Sequence, residues 1–139
     1  MSSENINFTI QFEVIGNPTI SVYIDDKLVH NGYTDCTFTH NSSFEDHMLK
    51  IVHSGKTNNT PEQFAKISSV MIDGVNIKDI LYTSSYNIPN YPEPWATHQR
   101  AQGVELEERV LGQCELSHNC EWHLPFTSPV FKFVIDHVR

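Results

Sequence analysis

The stretch Ile6–Val14 reads INFTIQFEV, and its apolar residues Ile6, Phe8, Ile10, Phe12 and Val14 alternate strictly with Asn7, Thr9, Gln11 and Glu13. A period of two puts the first set on one face of a β-strand and the second on the other. The segment therefore predicts a strand with one face on a core and one in water. The same reading extends outward from it. Gly16-Asn17-Pro18 turns the chain, and Thr19–Ile24 alternates again through Ile20, Val22 and Ile24. Asp25-Asp26-Lys27 predicts a turn into the return strand of a hairpin beginning at Leu28–His30, and Asn31-Gly32 is a second hairpin-turn dipeptide.

Tyr33–His40 predicts a further strand, with Cys36 and Phe38 on one side and Thr37 and Thr39 on the other. In HMLKIVH (His47–His53) one face carries His47, Leu49, Ile51 and His53, while Met48, Lys50 and Val52 share the other. Lys66–Ile72 leads into an Asp73-Gly74 turn, and Val75–Tyr82 predicts a short strand followed by one helical turn. Short strands about ten residues apart, punctuated by Gly, Asn and Asp, specify an all-β chain. The expected architecture is a single antiparallel β-sandwich, jelly-roll-like, with residues 1–139 as one domain. The last run, PVFKFVIDHVR (Pro129–Arg139), fits a strand through Phe131, Phe133 and Ile135 and a helix through Val130, Val134 and Val138. Its β-branched and aromatic content favours the strand.

Between Thr83 and Gln113 the periodicity fails, and Pro89, Pro92 and Pro94 fall inside the gap. Residues 83–113 are thus expected as one long loop, packed down by Tyr86, Tyr91 and Trp95. Composition narrows the function classes. The formal charge is −8, from 17 acidic and 9 basic residues, with no Lys/Arg cluster. That excludes a phosphate-tracking nucleic-acid face and adhesion to anionic membranes, and suits neutral or cationic partners. No apolar run approaches a membrane span, and the N-terminus MSSENINFTIQF lacks the charged and apolar regions of a signal peptide. Three Cys is an odd number, which points to a reducing compartment, where the sequons at Asn7, Asn41 and Asn58 would stay unglycosylated.

Two constellations carry chemistry. CELSHNCEWH (Cys114–His123) holds four chemically credible zinc ligands, Cys114, His118, Cys120 and His123, compressed into ten residues. Against zinc, and against a Cys114–Cys120 disulfide, stands a strand reading. In it Cys120, Trp122, Leu124 and Phe126 face a core, and Glu121, His123 and Pro125 face away. The eight His are otherwise expected as a dispersed surface set. YNIPNYPEPW (Tyr86–Trp95) offers rings for the C–H faces of a sugar and planar polar groups for its hydroxyls. The ligand set there would be Tyr91, Trp95, Asn90, Glu93, His98 and Gln99, on a segment that Pro stiffens. The same loop could instead lid the sandwich or make a subunit contact. No nucleophile elbow, P-loop, zinc-protease or dinucleotide signature is present, so no catalysis is expected. A glycan-active enzyme using Glu105, Glu107 or Glu108 is the alternative, although ELEER (Glu105–Arg109) reads as a solvated charged patch.

Three stretches taken together, MLKIVHSGKTNNTPEQFAKISSVMIDGVNIKDILY (Met48–Tyr82), PNYPEPW (Pro89–Trp95) and CEWHLPFTSPVFKFV (Cys120–Val134), resemble small uncharacterised proteins of tailed bacteriophages, particularly those infecting cyanobacteria. More distantly they resemble jelly-roll carbohydrate-binding modules, some of which use calcium. The resemblance implies a sandwich fold and a binding-type role, without a metal or a sugar specificity; joined to the aromatic stretch Tyr86–Trp95, it makes a non-catalytic module of the carbohydrate-binding type the expectation. It also implies a setting in the virion or in the cytoplasm of the infected cell. The alternative is a virion structural, decoration or assembly protein. Its partners would be other virion proteins or further copies in a homo-oligomer, rather than a glycan. No cofactor is expected. Calcium would require the fold to gather Asp25-Asp26, Asp35 and Glu45-Asp46, which the sequence spaces too widely for a compact loop.

Overall fold

A computed structural model of the chain describes residues 2–55, 63–88, 94–106, 109–116 and 119–137. Eleven strands lie among them. They are β1 (Ser3–Ile15), β2 (Thr19–Ile24), β3 (Lys27–Asn31), β4 (Cys36–Ser43), β5 (Asp46–Ser54), β6 (Phe64–Ile72), β7 (Val75–Asn76), β8 (Ser85–Asn87), β9 (Arg109–Leu111), β10 (Glu115–Leu116) and β11 (Cys120–Thr127). A 3-10 helix spans Lys78–Thr83, and two α-helices follow, α1 (Trp95–Ala101) and α2 (Val130–His137). One sheet runs β10-β6-β1-β4, with β7 also on β6; the other runs β3-β2-β5-β11-β8-β9. All pairings are antiparallel, and the two sheets pack as a β-sandwich.

The alternation that opens the chain is what builds this core. Ile6, Phe8 and Ile10 are buried while Asn5, Asn7 and Gln11 are exposed. Facing them from the other sheet, β11 buries Cys120, Trp122, Leu124 and Phe126, as its parity demands. Strand β6 changes parity midway: Ala65 and Ile67 are buried, then Val70 and Ile72. A bulge lies where Gln11 pairs Ser69 and Phe12 pairs Ile67, leaving Ser68 as the extra residue, whose hydroxyl donates to the Gln11 carbonyl at 2.9 Å. The buried indole of Trp122 finds no oxygen or nitrogen acceptor among the described residues, and the weakly accepting Cys114 sulfur lies beside its N–H.

Three expectations give way. Asp25 and Asp26 do turn β2 into β3, both at positive φ (50° and 65°), as a tight two-residue hairpin turn needs. Asn31-Gly32, however, does not make a second hairpin: the chain leaves β3 there and β4 pairs with β1 in the opposite sheet. Nor is 83–113 one loop, since β8, α1 and β9 all fall within it. Gly103 (φ 82°), just past the end of α1, closes the helix, and the Val104 N–H reaches back to the Gln99 carbonyl at 3.0 Å.

The C-terminal run is a helix, not a strand. Glu4, at the start of β1, decides this, because its carboxylate accepts from the Val130 N–H (2.7 Å) and the Ser128 hydroxyl (2.5 Å). An acceptor at the first free N–H of a helix is worth about 1 kcal/mol. Val130 and Phe133 then bury against the core. A bond between residues 126 apart in sequence outweighs the local β preference.

Candidate functional site

Of the aromatic segment, Tyr86 is buried in β8, and helix α1 carries Trp95 at its start. Its anchor is Ala96, which is buried. Trp95, His98 and Gln99 occupy positions i, i+3 and i+4, so they share one face of the helix, with Gln102 a turn further on. Trp95 is 42% exposed. The Gln102 amide donates to His98 Nε2 at 3.0 Å, which orients that ring. Asn90, Tyr91 and Glu93 lie outside the described residues. Pro94 at the helix start and Gly103 just past its end form the usual start and stop pair, and that signal could have revealed α1 in the sequence.

The Cys/His quartet does not converge. Cys120 points into the core, whereas His123, three positions on, lies on the other face of β11 and pairs with Glu121 at 3.1 Å. Strand parity thus separates two of the four zinc candidates, and His118 lies outside the described residues. Cys36, Cys114 and Cys120 are free thiols, so the two cysteines of the quartet form no disulfide. Burial pushes all three up, Cys120 to about 12, so each stays protonated near neutrality and is a poor nucleophile. Glu105 is exposed, and Glu107 and Glu108 lie outside the described residues. Of the calcium candidates, Asp25 and Asp46 border one cleft, while Asp35 is engaged elsewhere by the Phe12 N–H (2.9 Å). Among the described residues no three His, Cys, Asp or Glu side chains are grouped to hold a metal ion.

A site that sequence reading passed over lies at one end of the sandwich. His47 and His53 do not belong to a dispersed surface set; both are buried in β5. His47 Nδ1 meets Asp25 Oδ2 at 2.5 Å, and its Nε2 donates to the Ser43 carbonyl at 2.7 Å. A carbonyl only accepts, and a carboxylate at neutral pH only accepts, so both ring nitrogens carry protons and His47 is an imidazolium. Burial alone would lower its pKa. The hydrogen bonds to Asp25 and Ser43, with the charges of Asp25 and Glu45, outweigh burial and raise it. For Asp25, burial raises the pKa, but the His47 bond, the Met48 N–H (2.9 Å) and the charges of His47 and His40 hold it below the ordinary value. The His47 ring stacks on Phe126, with centroids 5.3 Å apart.

His40, from β4 in the other sheet, meets His47 edge-on at 5.9 Å. Its own pKa falls, first through burial and then through the His47 charge. The two sheets thus join at this end through one charged and one neutral imidazole. Among the described residues, Asp25 borders hollows of about 510, 310 and 310 Å³. On the outer face of β5, Lys50 meets Asp26 at 2.9 Å and lies over the Tyr23 ring. Strand parity was the signal that could have found His47, because it shares a face with Leu49 and Ile51. Asp25 gave no signal beyond its turn.

No helix among the described residues is long and apolar enough to cross a membrane. Comparison of the chain with protein-family models, curated proteins and solved structures gives no match. The phage and carbohydrate-module resemblance is therefore carried by its residues alone.

Proposed function

We propose that this chain is a non-catalytic binding module of the carbohydrate-binding type, taking its ligand on the exposed face of α1. The observation that supports it is the half-exposed Trp95 ring on the same helical face as His98 and Gln99. A sugar needs that mixture, an aromatic plane for its C–H face beside amide and imidazole groups for its hydroxyls. The described thiols, held protonated by burial, and His47, with both nitrogens engaged, are poorly placed for nucleophilic or base chemistry, which favours binding over catalysis. The phage setting belongs to the same proposal and rests on the resemblance.

Fluorescence tests it cleanly. The chain has two Trp, and Trp122 is fully buried, so a ligand-induced change in emission reports on Trp95. Titration with a panel of neutral oligosaccharides is expected to shift the emission, and Trp95→Ala to remove the response. Binding that survives Trp95→Ala unchanged would end the α1 reading.

A second reading, an assembly or decoration role, is favoured by α2. Phe131 and Ile135 stand one turn apart and are 74% and 59% exposed. Large apolar side chains at i and i+4 on a solvent face suit a subunit contact. Light scattering separates the two: an oligomer that dissociates on Phe131→Glu, with no glycan response, supports assembly, and a monomer that answers to glycan supports binding.

A further inference from the structure

Among the described strands, every sheet edge but one is blunted. Strands β7 and β10 have two residues each, β9 has three, and β3 carries Lys27. Strand β4 ends its sheet with eight residues, Cys36–Ser43, and holds no Lys, Arg, Asp, Glu or Pro. Its register with β1 runs from Ser3↔Ser43 to Ile10↔Cys36 without a bulge. Short length, charge, proline and bulges keep a sheet edge from pairing, and β4 has none of them.

Parity decides which backbone groups β4 offers. The Asn7 N–H donates to Asp73 Oδ1 at 2.8 Å, and the Asn7 carbonyl accepts from the Asp73 N–H at 2.8 Å. Asp73 directly follows β6, so Asn7 turns its backbone toward β6 and away from β4. In an antiparallel ladder two facing residues either bond each other or both point away. Thr39 faces Asn7, and its N–H and C=O therefore point out of the sheet edge, as do those of Thr37 and Asn41. Among the described residues no backbone group meets them. Their side chains are exposed, with the Thr39 hydroxyl donating to Asn7 Oδ1 at 2.6 Å and the Asn41 amide to Asn5 Oδ1 at 3.0 Å.

We propose that β4 pairs with β4 of a second copy of this chain, antiparallel about a two-fold axis through Thr39, so that two sheets become one. The strand is its own complement. Thr39 faces Thr39 and Thr37 faces Asn41, and each facing pair exchanges two backbone hydrogen bonds. No charged side chain meets a like charge at the seam, although each chain carries −8. Phe38 and His40, both half-buried, fall opposite each other in this register and cover one another. A strand of another protein would need a matching register, which a second copy has by symmetry. The pairing also uses up both open edges and so closes at two copies. It employs the backbone of β4 and neither the α1 face nor the apolar face of α2, so it can fail or hold independently of either reading.

Sedimentation velocity of the full chain is expected to show monomer at about 1 μM and dimer at about 500 μM, as suits a small interface. Thr39→Lys and Thr39→Asp change an exposed side chain, and circular dichroism shows whether each is folded. Each alone should stay monomeric over that range, because like charges face each other across the axis. An equimolar mixture of the two should recover the dimer, since an ammonium then faces a carboxylate. Phe131→Glu should leave the dimer intact. The wild type supplies a reading that needs no variant: amide exchange at Thr37, Thr39 and Asn41 should slow as concentration rises. The proposal is overturned by a wild type monomeric at the upper concentration, by exchange at those amides that ignores concentration, or by a folded single variant that dimerises like the wild type. A mixture that stays monomeric, or dissociation by Phe131→Glu, overturns it as well.

Discussion

The two ends of β5 bury the same residue type on the same face and solve the problem of burying it in opposite ways. At one end His47, 7% exposed, is charged: it donates from both nitrogens, one proton to a carboxylate and one to a carbonyl. At the other end His53, 1% exposed, accepts at Nε2 from the Gln63 amide at 3.1 Å, an amide that also reaches the Ser54 carbonyl. An imidazole that accepts at a ring nitrogen is in its neutral form. The difference shows that burial does not choose the protonation state; the partner does. A carboxylate delivered by the β2–β3 turn holds a second proton on His47, whereas the Gln63 amide occupies the lone pair of His53 Nε2.

Truncation should break this comparison most visibly. His47→Ala removes two charge-assisted hydrogen bonds and the stack on Phe126, and is expected to cost about 3 kcal/mol in urea unfolding at mildly acidic pH. The Asp25 side chain is 42% exposed, so water meets part of its need, which keeps this figure from being larger. His53→Ala removes neutral hydrogen bonds and leaves a small cavity, at about 2 kcal/mol. If His53→Ala proved the costlier change, the charged arrangement would not be what distinguishes the two ends.

A gentler change sharpens the same point through pH. Asp25→Asn keeps a residue that tolerates positive φ and should cost about 1.5 kcal/mol where the pair is fully charged. His47 has a raised pKa in the folded chain, so its contribution is complete below the ordinary value of 6.5 and is lost as pH rises through the raised one. Asp25 has a lowered pKa, so its contribution is complete above 3.8 and is lost as pH falls through the lowered one. The stability gap between wild type and Asp25→Asn should therefore be widest between those two values and shrink on the alkaline side. His40, lowered by burial and by His47, acts oppositely, disfavouring the folded chain as pH drops below 6.5. A gap that stays constant from mildly acidic to alkaline pH would show that His47 carries no charge in the folded chain.

The smallest effect reads the His53 end. Cys120 lies opposite His53 in the register, and its thiol is pushed up to about 12 by burial. Under native conditions at mildly alkaline pH, alkylation followed by mass spectrometry should label the partly exposed Cys114 well before Cys120. Equal labelling would mean that the neutral end opens readily.

How much of this was legible depends on whether the cause was local. The inward sets of β1, β5 and β11 follow from alternation, and the Asp25-Asp26 and Asp73-Gly74 turns from residues that accept positive φ. The α1 face is partly legible: Trp95, His98 and Gln99 stand out as a ring beside polar groups, but with no periodic apolar pattern around them only Pro94 and Gly103 mark the helix that aligns them. The Cys/His quartet misled because spacing along the chain says nothing about faces, and parity sends Cys120 and His123 to opposite sides of β11.

The sequence by itself determined which residues face inward and where the chain turns, because side-chain alternation and backbone preference act over a few residues. Only the tertiary structure decided that Val130–His137 forms a helix, that β3 and β4 join different sheets, and that His47 holds its proton. Each of those outcomes depends on a partner far along the chain: Glu4 for α2, β1 for β4, and Asp25 for His47. Such bonds form only once the sheets are stacked, and no local pattern encodes which distant group will arrive.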